Sequence, residues 1–166
     1  MENDAIARLA ATPATLAHLV AEAGDAALDA ARPGQWSART LLAHFRDDEY
    51  LCMRVALGRM LAEEKPTLRF IDGGDWEPGR RRTRDRKEWL LGDFALQRQA
   101  SMAILRGLDA PDWERTGETE GEGVFTIAAF VAAWANHDAE HIASLEAALG
   151  ETLKQIKDRR ARRDEP

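Results

Sequence analysis

Apolar residues recur along this chain at helical spacing, and they do so in four separate segments. In the first, from about Asp4 to Ala23, the apolar positions are Ile6, Leu9, Leu16, Leu19 and Val20. Thr12-Pro13 interrupts them and predicts a kink or a late start, because proline lacks the N–H that a helix interior uses. The second segment opens at Ser37, a good N-cap, with Trp36 placed to pack on Leu41 as a hydrophobic staple. It runs to about Ala62, ahead of Lys65-Pro66. Asp85 with Glu88 has the form of a capping box for the third segment, which ends near Gly107. Thr126 caps the fourth, Phe125 and Phe130 are spaced as a second staple, and Gly150 is expected just past its end. Strand signals are nearly absent, since β-branched residues are scattered and no segment sustains a two-residue alternation. Four amphipathic helices of roughly five to seven turns predict an all-α fold, a four-helix bundle.

The connections are unequal. Helices one and two are joined by a short turn region around DAARPGQW. Between Ala62 and Arg84 the chain carries Pro66, Gly73, Gly74, Pro78 and Gly79, which predicts a long crossover between helices two and three. Residues 109–125 form another polar connection, rich in glycine and acids. Loops of this length in a compact domain cross the bundle or cover a site. The bundle domain is expected over residues 1–153, with a charged tail over 154–166.

Composition narrows the function classes. The chain of 166 residues is long enough for one core, and 45% apolar with 31% charged residues is ordinary for a soluble globular protein. A formal net charge of -6 argues against nucleic acid as a partner, because phosphate contacts need an excess of Lys and Arg. Cys52 is the only cysteine, which excludes an intrachain disulfide and fits a reducing compartment. MENDAIARLA has no basic region followed by an apolar run, and no stretch reaches the length of a membrane span. A cytoplasmic protein with no membrane partner is the expectation.

The candidate chemistry lies in the fourth helix, in WANHDAEH, Trp134 to His141. Continuing its apolar stripe from Phe130 through Trp134 leads to His137, His141 and Leu145, so both histidines fall on the core-facing seam. A buried imidazole needs partners for its ring nitrogens, since an unpaired polar group in a core costs about 1–3 kcal/mol. A shared metal ion would serve two at once, and so would separate hydrogen bonds. A lone His-x-x-x-His is a weak signal in a long helix. His44 lies at a matching mid-bundle depth on helix two and can meet His137 across the core. His18 reads as a structural or partly exposed histidine. The string also matches H-x-x-E-H through His137, Glu140 and His141, but too little chain follows His141 for the distant third ligand of an inverted zinc peptidase. Asp138 stands where H-E-x-x-H needs its glutamate.

Taken in order, Gln35-Trp36-Ser37-Ala38-Arg39, Leu42-Ala43-His44 with Asp48-Glu49, Asp112-Trp113-Glu114-Arg115, Thr126, Asn136-His137-Asp138 and His141-Ile142 resemble the DinB-like family. The resemblance spans about residues 8 to 149. It implies a four-helix bundle, frequently a homodimer, with a divalent metal held by His44, His137 and His141. It also implies activities that include thiol-cofactor-dependent transferases and isomerases. Two places depart from the family: the acidic GETEGEGVFT, where a shorter turn is common, and Ala143-Ser144-Leu145, where a glutamine is frequent.

Three imidazoles would leave room for water or substrate, as catalytic sites do. Zinc, nickel, iron and copper all suit such donors, and a low-molecular-weight thiol is a possible cosubstrate. Asp48, one turn past His44, is a candidate base or imidazole-orienting group, or else a solvated carboxylate in Arg46-Asp47-Asp48-Glu49. Trp134 is a candidate pocket wall or a core aromatic. Arg98, on the stripe Leu91, Phe94, Arg98, Leu105, is a candidate clamp for a substrate anion or a rim arginine with a buried stem. Asp138 and Glu140 are expected to make bundle contacts, and Cys52 to be a core residue. Arg80-Arg81-Arg82 and the tail arginines read as solvated surface, though a basic loop could receive an acidic small molecule. The leading expectation is a metal-dependent transferase or hydrolase acting on a small molecule. The alternative is a non-catalytic bundle for small-molecule binding or protein association.

Overall fold

Four long helical stretches form the molecule. The computed structural model describes residues 2–70, 85–121 and 123–163, with 151–163 as backbone only. The first stretch is α1, Glu2–Leu19, which continues through Pro13 instead of breaking there. Proline removes the N–H that would bond the carbonyl of Leu9, and Arg98 Nη1 donates to that carbonyl at 2.8 Å instead. A tertiary donor thus satisfies the group that the proline exposes.

After a short helix α2, Asp25–Asp29, the second stretch begins at α3, Ala38–Asp48. Ser37 caps it as its sequence predicts, accepting from the Thr40 N–H at 3.1 Å. This stretch is not one regular helix. A π-helical segment, Glu49–Met53, separates α3 from α4, Arg54–Ala62. Such widened turns insert a residue into the ladder and shift the buried face. Here the shift lets the neighbours Asp48 and Glu49 both reach the interior, at 7% and 1% exposure.

The third stretch, α5, Lys87–Arg106, ends at Gly107 as expected. Its start differs, because Arg86 is the N-cap and makes no side-chain cap. Asp85 is used in tertiary contacts instead, its carboxylate accepting from Arg46 and its carbonyl from Arg39. A one-turn helix α6, Ala110–Trp113, follows. The fourth stretch, α7, Ile127–Arg163, is capped by Thr126, which accepts from the Ala129 N–H at 3.1 Å. The Phe125 and Phe130 rings stack at 6.3 Å, completing the staple. Gly150 does not end α7. A glycine inside a helix costs about 1 kcal/mol, and the helix formers Glu151, Leu153, Lys154 and Gln155 follow it.

The helices α1 and α3 each pack on both α5 and α7. The first two long stretches therefore stand at diagonal corners, with the later two between them. The connection from α4 to α5 is long, as the loop composition predicts, and Arg80-Arg81-Arg82 lie in the part of it outside the described residues. The side chains of the tail arginines lie outside them too.

The periodicity of the sequence does not announce one feature of the fold, a three-stranded sheet. β1, Thr67–Leu68, runs parallel to β2, Thr116–Thr119, which pairs antiparallel with β3, Gly123–Thr126. Gly117 lets β2 approach α4 closely, since a Cβ there would meet Leu68 Cδ1 at 2.9 Å and Met60 Cγ at 3.1 Å and would push those side chains aside. Arg115 fixes the approach by donating to the carbonyls of Met60 and Glu63. No described helix is long and apolar enough to cross a membrane.

Candidate metal centre

The core has two apolar clusters, and each long helical stretch passes between them through polar residues. One cluster includes Leu9, Leu57, Met102, Val131 and Trp134; the other includes Leu16, Phe45, Phe94, Leu145 and Leu149. Between them in sequence lie Thr12 on α1, Asp48 and Glu49 in the second stretch, Arg98 and Ser101 on α5, and Asp138 on α7, all buried. The histidines occupy the same layer.

His44, His137 and His141 come together there, each offering a ring nitrogen within 4.8 Å of the others. His44 and His137 face one another with Nε2 atoms 3.3 Å apart. Ring centroids lie 4.6 Å apart for His44–His141 and 4.4 Å for His137–His141. The four-residue spacing on α7 brings the latter pair together, and α3 delivers His44 from across the core. His18 takes no part; it is exposed in the last turn of α1.

The donor set fits a divalent ion. Tetrahedral ligation by imidazole at about 2.0–2.1 Å separates the donor atoms by roughly 3.3–3.4 Å, and the His44–His137 separation matches this. Nδ1 of His137 and Nδ1 of His141 are buried without a hydrogen-bond partner. Burial pushes the His141 imidazole down to about 4, with repulsion from His137 adding to the effect. At neutral pH it is therefore uncharged, the state that ligates a metal. The surroundings are acidic. Asp48 Oδ2 stands 3.6 Å from His137 Nε2, and Asp138 Oδ1 stands 3.9 Å from its Nδ1. Asp138 is paired with Arg98, so the carboxylate that favours a cation at the cluster is that of Asp48.

Asp48 is buried, not solvated. Burial raises its pKa, opposed by a hydrogen bond from the Cys52 thiol and by the nearby His137. Cys52 itself is a core residue at 4% exposure. Arg98 lies in the interior of the bundle. Its Nη1 pairs with Asp138 Oδ2 at 2.7 Å and its Nη2 with Glu49 Oε2 at 2.8 Å. Phe94 and Trp134 lie against its guanidinium, at 4.9 Å and 5.2 Å from their ring centroids. Asp138 also accepts from the Thr12 hydroxyl at 2.7 Å. Its pKa is lowered: burial opposes the shift, and the neighbouring His137 ring, the Arg98 guanidinium and the Thr12 hydroxyl outweigh it.

Trp134 is buried and also lines a cavity that His137 borders. Two participants were not foreseen from the sequence. Glu49 reads as one more member of a charged run, and only the π-helical turn brings it inward. Trp36 reads as a staple, and it does pack on the cluster containing Leu41. It also covers the histidines, its ring centroid 5.0 Å from that of His44 and 6.2 Å from that of His141.

A helical bundle carrying three histidines in a buried polar layer is the class that fold and site define. The family model of the DinB superfamily matches residues 8–145, and the chain belongs to that family. Among solved structures it is similar to YfiT from Bacillus subtilis, "a probable metal-dependent hydrolase with an unusual four-helix bundle topology". The two share 22% identity at a TM-score of 0.81, over 94% of this chain and 87% of that one, a likeness of fold. No curated protein matches the chain.

Proposed function

We propose that this protein is a metal-dependent enzyme acting on a small molecule, with His44, His137 and His141 holding one divalent ion. The observation that carries the reading is a cluster of three imidazoles whose offered ring nitrogens lie within 4.8 Å of one another, with the Nε2 atoms of His44 and His137 at the 3.3 Å spacing of two ligands on one ion. A bound ion would act as a Lewis acid, polarising a substrate carbonyl or favouring the anionic form of water or a thiol.

The chain's own groups then have separable roles. Asp48 is placed to orient His137 or to take up a proton at Oδ2, and its raised pKa suits proton transfer better than that of a solvated carboxylate. Arg98 and Asp138 hold the α7 face in position from the opposite side of His137. Hydrolysis, the activity in the description of YfiT, is the preferred reaction class; transfer of a low-molecular-weight thiol is the other.

The acting unit is proposed to be the bundle of residues 1–153, with residues 154–166 as a charged extension, in a reducing, cytoplasmic setting that fits the single thiol. A homodimer is proposed from exposed apolar side chains. Trp89 and Leu96 on α5 are 60% and 67% exposed, and Tyr50 and Val55 on the second stretch are 54% and 48% exposed. Light scattering that finds only monomer at every workable concentration would remove the dimer.

Elemental analysis of protein purified without chelators is the test of the site. It should find close to one divalent ion per chain. Ester, amide and thiol-transfer panels, run with and without added thiols, should then show turnover that chelation abolishes. Protein that holds the ion without any turnover would instead support a binding bundle, and protein that takes up no ion would end the enzyme reading.

A further inference from the structure

Two cavities flank the histidine cluster, and their linings differ in chemistry. On the His141 side is a cavity of about 530 Å³, bordered by Gln35, Trp36 and Ser144 together with loop residues. On the His137 side is a cavity of about 420 Å³, a size that suits a small molecule. Four aromatic rings line this second space: Phe70, Phe125, Phe130 and Trp134. The rings contact one another in series, with centroids at 6.0 Å for Phe70–Phe130 and 5.8 Å for Phe130–Trp134. Met53 adds a polarisable thioether. Ala129 and Ala133 lie two turns and one turn before His137, and their small side chains leave that face of α7 open.

We infer that the cavity on the His137 side receives an uncharged aryl or branched alkyl group of the substrate, and so selects molecules carrying such a group next to the reacting centre. This rests on the metal-dependent reading above and deepens it. Among the described residues of the lining His137 is the one with an ionisable side chain, so a charged group pressed against these rings would lose part of its hydration without compensation. An aryl group gains both apolar burial and edge or face contacts with the surrounding rings. The small sheet explains why the cavity exists, since Phe125 lies on β3 and Phe70 closely follows β1. The strands thus carry two of the rings toward the side of α7 on which His137 lies.

The test uses the full chain loaded with zinc. Acetohydroxamate and benzohydroxamate present the same chelating group to the ion and differ in carrying methyl or phenyl. Calorimetry should find benzohydroxamate bound about tenfold more tightly, or better. In Ala133→Phe and Ala129→Phe, which fill the cavity from the helix, the ratio of the two affinities should fall toward one at unchanged zinc content and far-UV circular dichroism. Equal affinities in the unaltered protein, or a phenyl preference that survives both substitutions, would overturn the inference. A metal-free arm separates its failure from that of the metal reading. The neutral fluorophore N-phenyl-1-naphthylamine should bind the zinc-free protein and lose affinity in Ala133→Phe. Binding of the fluorophore without any hydroxamate binding would support the apolar cavity and remove the metal. No fluorophore binding, with both hydroxamates binding alike, would leave the metal and remove the cavity.

Discussion

The two halves of the buried polar layer solve the same problem in opposite ways. On one side Arg98 stands between Glu49 and Asp138, donates to the Leu9 carbonyl and lies against two aromatic rings. Every face of that guanidinium is occupied by protein. On the other side three histidines converge, and Nδ1 of both His137 and His141 has no hydrogen-bond partner. Desolvation falls on both halves, in full on Arg98, Glu49 and Asp138 and in part on His137 and His141, which are half-buried. The ion-paired half meets it from within the chain, while the histidine half is arranged for something brought from outside. The first half is built for stability and position, and the second for ligation.

The largest expected effect falls on the ion-paired half. Arg98→Ala removes the cation that stands between two buried carboxylates and also strands the carbonyl that Pro13 leaves open. Breaking a buried pair in this way costs about 3–5 kcal/mol, and urea unfolding should show a loss of that order. A loss below about 1 kcal/mol would mean that water reaches Glu49 and Asp138, and the contrast between the halves would collapse.

His141→Ala should behave in the reverse manner. Metal content should drop to background, while the stability of the metal-free protein changes by only about 1 kcal/mol, because no protein partner loses a hydrogen bond. Elemental analysis and unfolding of the chelated protein check the two parts. Retention of full metal occupancy would show that His141 is not a ligand.

The contrast also marks what was legible in the sequence. Helix existence, the caps at Ser37 and Thr126, and the seam placement of His137 and His141 all follow from local periodicity and side-chain chemistry. The polar layer was only partly legible. Glu49 and Arg98 are far apart in sequence, and their pairing depends on a π-helical turn that no local signal announces. Asp85 shows the same limit in miniature, since its spacing to Glu88 fits a capping box, yet Arg46 and Arg39 claim it. The strands Thr116–Thr119 and Gly123–Thr126 escaped notice because they are four residues long and rich in Gly, Glu and Thr. Their pairing with each other, and the packing of Gly117 against Met60 and Leu68, hold them as strands.

Acid should expose the histidine half next. The folded imidazole of His141 titrates at about 4, while in the unfolded chain it takes up its proton near about 6.5. Between these values the unfolded state binds the extra proton, so this group makes the metal-free fold less stable as pH falls through that window. Below both values the contribution stops changing. His141→Leu should flatten the pH dependence of the unfolding midpoint between about pH 6.5 and 4. An unchanged slope would mean that the imidazole is better solvated than its surroundings imply. With metal bound, acidification should also release the ion, since protons compete for the same nitrogens.

The smallest effect is expected at His18, and it makes the comparison specific. This histidine has the same side chain as the three in the cluster, but it is exposed at the end of α1. His18→Ala should therefore leave metal content, the hydroxamate affinities and neutral-pH stability unchanged within error. If metal content fell in step with His141→Ala, binding would be a property of exposed imidazoles in general, and the three-histidine centre would lose its claim. If it held while His44→Ala and His137→Ala both emptied the protein, ligation would belong to the cluster that α3 and α7 assemble.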